Sequence, residues 1–110
     1  PLVSAVAAYV FERLSDPTLL ESVRENGAWL GEQLDAIARR SGKVRAIRGI
    51  GFIWGLDVVE PAGHVVKRGW DEGILMLTAG EHTLRILPPL VMDRDELTRG
   101  LSIIERVIAQ

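Results

Sequence analysis

Val44-Arg45-Ala46-Ile47-Arg48-Gly49-Ile50-Gly51-Phe52-Ile53-Trp54-Gly55-Leu56-Asp57-Val58-Val59 is the stretch where the hydrophobic period of the chain changes. Before it, apolar residues recur every three or four positions; within it they alternate. Phe52, Trp54, Leu56 and Val58 fall on one side of an extended strand, with Ile53, Gly55, Asp57 and Val59 on the other, so both sides are partly apolar. Val44 to Ile47 reads as a short strand, Gly49-Ile50-Gly51 as a bulge or turn, and Phe52 to Val59 as a second strand.

Upstream, Leu20, Val23, Gly27, Leu30, Leu34 and Ile37 trace one helical stripe. Asp16 and Pro17 supply an N-cap and a first helical residue that needs no N–H. Arg39 and Arg40 suit the negative end of the helix dipole, and Gly42 is placed to end it. Leu2 to Leu14, apolar nearly all round, reads as a further helix that needs cover from other parts of a protein. The chain opens on Pro1 without an initiator Met, which suggests a piece of something longer.

Downstream, a weak helix through Val65, Val66, Gly69 and Trp70 follows the break at Glu60-Pro61-Ala62-Gly63. Ile74 to Thr78 and Thr83 to Leu87 read as a hairpin around a loop at Ala79-Gly80-Glu81-His82. Pro88-Pro89 stops the ladder because neither residue can donate a hydrogen bond. Asp93 with Glu96 forms a capping box, and Leu97, Leu101, Ile104 and Ile108 line the last helix. The expected fold is α+β: one domain over residues 1–110, residues 1–14 a connecting helix, with a small antiparallel sheet of three to four strands covered by helices.

Composition narrows the function classes. The 110 residues carry 13 Lys+Arg against 15 Asp+Glu, a net charge of −2, so a basic face for nucleic acid is not expected. Cysteine is absent, which removes disulfides, thiolate metal sites and thiol nucleophiles. No run of 18 apolar residues and no export signal is visible, so a membrane is not an expected partner. His64 and His82 lack paired metal-ligand spacing and read as solvated loop residues. No G-x-S-x-G elbow occurs. Asp93, Asp95 and Glu96 sit where capping and dipole complementation account for them. After Gly49-Ile50-Gly51 the next glycine, Gly55, comes one position late for a dinucleotide fingerprint, and a strand follows rather than a helix. Neither Lys43 nor Lys67 lies in a setting that suggests Schiff-base chemistry.

Arg85 stands apart. Leu84, Ile86 and Leu87 flank it, so its guanidinium is expected near partly buried surface, in need of a planar anion. A carboxylate matches it through two parallel hydrogen bonds. That carboxylate belongs either to a ligand or to the chain itself, with Asp57 and Glu81 as intramolecular candidates.

Two segments resemble class III pyridoxal-phosphate aminotransferases. Val44 to Asp57 is similar to that family's V-R-G-x-G-L-M-x-G-[IL]-[ED] segment. Leu77-Thr78-Ala79-Gly80-Glu81-His82-Thr83-Leu84-Arg85-Ile86-Leu87-Pro88-Pro89-Leu90-Val91 is similar to its x-x-A-G-x-x-x-[IL]-R-[FL]-x-P-P-L-[VIT] segment. Pro1 to Ala7 resembles the continuation of a G-G-N-P-L-A stretch, and Glu96 with the closing helix fits the family's ending. The resemblance is nearest to the acetylornithine and acetyl-lysine branch, with ornithine and 4-aminobutyrate aminotransferases near it. Trp54 departs from the pattern, where smaller or sulfur-bearing residues are commoner.

The resemblance spans nearly the whole chain but only the family's C-terminal small domain. It implies a cytoplasmic homodimeric parent with pyridoxal 5'-phosphate. That parent would move an amino group between N-acetylornithine, or a related ω-amino acid, and 2-oxoglutarate or glutamate in arginine or lysine biosynthesis. It implies no catalytic residue and no bound cofactor in this chain, because the family's cofactor lysine and ring contacts lie in a large domain. It makes Arg85 the residue that grips the substrate carboxylate, and it implies the large domain and a second subunit as partners. The alternative is a free-standing α+β binding or regulatory module.

Overall fold

The computed structural model describes residues 16–89 and 92–110. The expected helix over residues 2–14 lies outside the described residues. Helix α1 spans Pro17–Ser41. Asp16 caps it by accepting from the Thr18 N–H at 2.8 Å, and Pro17 occupies the first turn. Gly42 ends it in the left-handed region, with φ 67°. Gly27, Leu30, Leu34 and Ile37 are buried as the stripe predicts, whereas Leu20 is exposed. The reason is reach: the sheet's hairpin tip at Gly51 meets Val23, and Leu20 lies a turn further out.

Strands β1 (Val44–Ile50) and β2 (Ile53–Val58) form the first hairpin. The boundary differs from the sequence expectation. Gly49 lies inside β1, paired with Trp54, and the turn is Gly51-Phe52, with Gly51 at φ 58°. A positive φ at the first turn residue is what a two-residue type II′ hairpin requires. The register shift sits at Val44/Ala46 instead of at the glycines.

Helix α2 (Ala62–Asp71) buries Ala62, Val65, Val66 and Gly69, while Trp70 is exposed. Strand β3 is only Leu77–Thr78, shorter than the expected Ile74 to Thr78. The Ile74 N–H closes the end of α2 on the Gly69 carbonyl at 2.8 Å, so the chain is not free to pair there. Strand β4 (Thr83–Ile86) stops before Pro88, and α3 (Arg94–Ala109) begins at the predicted capping box. Glu96 N–H donates to Asp93 at 2.8 Å, and Asp93 N–H donates to Glu96 at 3.4 Å.

The sheet is antiparallel throughout, in the order β1-β2-β4-β3. Helix α1 packs on β1 and α3; α2 packs on α3, β3 and β4. One face of the sheet therefore meets the helices, and the core of Leu30, Leu34, Leu56, Met76, Leu84 and Ile108 lies between the two layers. This is the expected α+β architecture with four strands. Among the described residues no helix is long and apolar enough to cross a membrane.

Candidate functional site

Strand alternation sends every second residue away from the helices. Ile50 of β1, Ile53 of β2, and Leu77 and Leu87 at the β3–β4 hairpin are consequently exposed, Ile50 by 81%. These apolar residues surround a polar centre on the same face. Cross-strand pairing places Arg48, Gly55 and Arg85 in one row, with Leu77 beyond Arg85, and Ala46, Asp57 and Thr83 in the next row. A concavity of about 380 Å³ is lined by Arg48, Ile53, Trp54, Gly55, Thr83 and Arg85, among others.

The two arginines are in different electrostatic states. Arg48 donates two hydrogen bonds to Asp57, at 2.7 and 2.9 Å, and Thr83 Oγ1 donates a third at 2.7 Å. The Arg48 bonds first, and Thr83 second, hold the Asp57 carboxyl down at about 2. Asp57 in turn raises the Arg48 guanidinium. Arg85 has no hydrogen-bond or ion-pair partner among the described residues.

The intramolecular alternative for Arg85 is therefore corrected. Asp57 is saturated by Arg48 and Thr83, and Glu81 makes no ion pair with Arg85. The expected partial burial is corrected as well. Leu84 and Ile86 point into the core, and the same alternation leaves Arg85 exposed. The signal that could have located the Arg48–Asp57–Thr83 cluster is the two-residue period linking Arg48 to β1's outer face and Asp57 to β2's.

The other candidates lie elsewhere. His82 is half-buried, not simply solvated, and its Nδ1 donates to the Glu60 carbonyl at 2.9 Å. His64 is exposed on α2. Among the described residues no cluster of three His, Asp or Glu side chains could hold a metal. The Lys43 ammonium donates to the Ala109 carbonyl at 2.9 Å, and Lys67 is exposed on α2, in the helical layer. Neither lysine borders the concavity. The donor set around Arg85 thus offers no amine for a Schiff base, and it does not fit covalent attachment of an aldehyde cofactor.

A model of the family described as aminotransferase class-III matches residues 1–108. The chain belongs to the class-III aminotransferases. An acetylornithine aminotransferase of Streptococcus mutans is 33% identical over 109 residues, which is 99% of this chain and 29% of that protein. The crystal structure of N-acetylornithine aminotransferase from Stenotrophomonas maltophilia K279a superimposes with a TM-score of 0.92 at 26% identity, covering 99% of this chain and 31% of the other. A phospholyase from Arthrobacter, in complex with phosphoethanolamine, matches with a TM-score of 0.82 at 26% identity, over 96% of this chain and 27% of that one. This class-III aminotransferase chain spans less than a third of the length of each.

Proposed function

We propose that the chain is the C-terminal small domain of a pyridoxal-phosphate-dependent aminotransferase, and that Arg85 binds the carboxylate of its amino-acid substrate. The observation that carries this reading is the contrast on one sheet face. Arg48 is neutralised by Asp57, and Arg85 beside it is exposed with no partner among the described residues. A planar guanidinium left free on a water-accessible face is complementary to a carboxylate through paired N–H donors.

N-acetylornithine as amino donor and 2-oxoglutarate as acceptor are the substrates we favour, supported by the curated relatives named acetylornithine aminotransferase. Pyridoxal phosphate would act as the electron sink of the transfer. In this reading it is held by the rest of the enzyme, since neither Lys43 nor Lys67 borders the concavity. The apolar rim of Ile50, Ile53, Leu77 and Leu87 supports a sheet face covered by the enzyme's large domain and second subunit. The same rim weighs against a free-standing module, which would leave those side chains in water.

The test is Arg85→Lys in the whole enzyme. Lysine keeps the charge but replaces a two-pronged donor by a point charge. Loss of one charged hydrogen bond, about 1.5–3 kcal/mol, lowers kcat/KM for glutamate by roughly tenfold to a hundredfold. Because Arg85 makes no bond within the described chain, the melting temperature stays unchanged. A variant with normal kcat/KM for glutamate ends the assignment.

A further inference from the structure

Among the described residues, Gly63 and Gly100 lie in helices where a methyl group would fit, but glycines at the close approaches of the fold have steric reasons, and the two inside paired strands, Gly49 and Gly55, differ from each other. A Cβ at Gly27 would lie 2.6 Å from the Gly51 backbone, one at Gly31 2.5 Å from the Trp54 ring, and one at Gly49 2.4 Å from the Ile53 carbonyl oxygen. At Gly69 it would lie 2.7 Å from Met76. Gly55 is different. Its Cβ would meet nothing closer than Thr83 Cγ2 at 3.7 Å, its φ is not positive, and it pairs in regular register with both β1 and β4. Neither packing nor backbone conformation calls for glycine there.

A glycine inside a strand weakens it, and one that packing does not require marks a place where something else approaches the backbone. Gly55 is the middle of the row Arg48–Gly55–Arg85 and borders the concavity. Adjacent strands lie about 5 Å apart, so the two arginine Cα atoms stand about 10 Å apart with no side chain between them. The row is a trough with a guanidinium on each wall and bare β2 backbone as its floor. Asp57 occupies the Arg48 wall, which leaves Arg85 as the cation of this row with no counter-charge among the described residues.

We propose that Gly55 is a specificity-determining residue: its missing side chain forms the floor on which a chain-bearing carboxylate lies to reach Arg85. The inference rests on the carboxylate role of Arg85 and adds a size limit to it. A side chain at position 55 would rise between the two arginines and lift the ligand's carbon chain off the floor. It would leave the guanidinium itself intact.

The test uses the whole enzyme, with Gly55→Ala, Gly55→Val and Arg85→Lys compared against the parent. The probe is glutarate, a dicarboxylate with no amino or oxo group, so calorimetry reads binding without turnover. Formate supplies a carboxylate with no carbon chain. Lifting the chain weakens and then breaks one of its hydrogen bonds to the Arg85 guanidinium, so glutarate affinity should fall about tenfold in Gly55→Ala and about a hundredfold in Gly55→Val. Formate affinity should change by less than about threefold in both, a discrimination that general damage to the site would not produce. The Gly55→Ala melting temperature should be at or above that of the parent, because its methyl makes only ordinary contacts and alanine loses less backbone entropy than glycine in a strand; should Gly55→Val not fold, the alanine variant decides. Normal glutarate binding in the folded Gly55 variants, alongside its loss in Arg85→Lys, overturns the floor and leaves the Arg85 reading standing. Equal losses of formate and glutarate in the Gly55 variants also overturn it. Normal glutarate binding in Arg85→Lys sinks the carboxylate reading, and this inference with it.

Discussion

Replacing Gly27 by alanine adds one methyl group where α1 and the β1–β2 turn come closest. That methyl would sit 2.6 Å from both the Cα and the carbonyl oxygen of Gly51, and 2.8 Å from its carbonyl carbon. Ordinary carbon contacts are about 3.5–4.0 Å, so the helix and the turn must separate by about 1 Å. The opposing atoms are backbone and have no rotamer to turn away. Gly51 is also anchored, because Trp54 Nε1 donates to its carbonyl at 2.7 Å while the Trp54 ring lies against Gly31 one turn along the helix. Overpacking of this kind costs about 1–3 kcal/mol, and alanine returns about 1 kcal/mol of helix propensity. With the strain near the upper end, Gly27→Ala should destabilise the fold by about 1–2 kcal/mol. Gly100→Ala is the matched control. It is also inside a helix, but its methyl would find only Ile74 Cδ1, at 3.8 Å. It should therefore stabilise by about 1 kcal/mol. Thermal denaturation followed by circular dichroism resolves both, since 1 kcal/mol shifts the midpoint by roughly 4–8 °C in a domain of this size. A Gly27→Ala chain melting at or above the parent would refute the close-approach argument.

Arg68→Ala should cost about 1.5–3 kcal/mol in a denaturant titration, because half-buried Arg68 bonds both Glu60 and the Val107 carbonyl near the end of α3. Arg40→Ala removes a two-pronged but more exposed pair with Glu105 and should cost less than Arg68→Ala, with a loss that shrinks further in salt; equal losses from the two would contradict this ranking. Asp57 titrates at about 2 when folded, against an ordinary value of 3.8, so its contribution to stability is complete above pH 4 and is withdrawn as the pH falls toward 2. Carboxyl chemical shifts should show this directly: a titration of Asp57 at its ordinary value would break the Arg48–Asp57–Thr83 account, and Asp57→Asn should flatten stability across that window.

The caps and stripes of the helices are legible in the sequence because they act over a few residues. Asp16 with Pro17, Gly42, and Asp93 with Glu96 each fix a helix end through bonds to atoms at most four positions away. The first hairpin is less legible. Gly49, Gly51 and Gly55 all permit a turn, and the turn that forms, at Gly51, packs on Gly27 of α1, a tertiary contact that the local sequence does not display. The shortening of β3 likewise depends on the Ile74 N–H being taken by α2. At the candidate site, Arg85 can be singled out from its apolar neighbours, but those neighbours suggest burial, and alternation places it in the open. Its supposed partner Asp57 goes to Arg48, a pairing set by the β1–β2 register, which local sequence does not encode.

Because the described helices pack on one side of the sheet, each central strand is subject to two separate requirements. Leu56 and Val58 on β2, and Leu84 and Ile86 on β4, answer to the volume of the interior. Ile53, Gly55, Thr83 and Arg85, interleaved with them, answer to whatever approaches from outside. Residues one position apart can therefore be exchanged under different rules. A combinatorial library confined to positions 53, 55, 83 and 85 could vary ligand preference while every core contact stays intact. The same number of changes at 56, 58, 84 and 86 would spoil folding before it altered recognition. The seam between the two sets of requirements runs through the plane of the backbone.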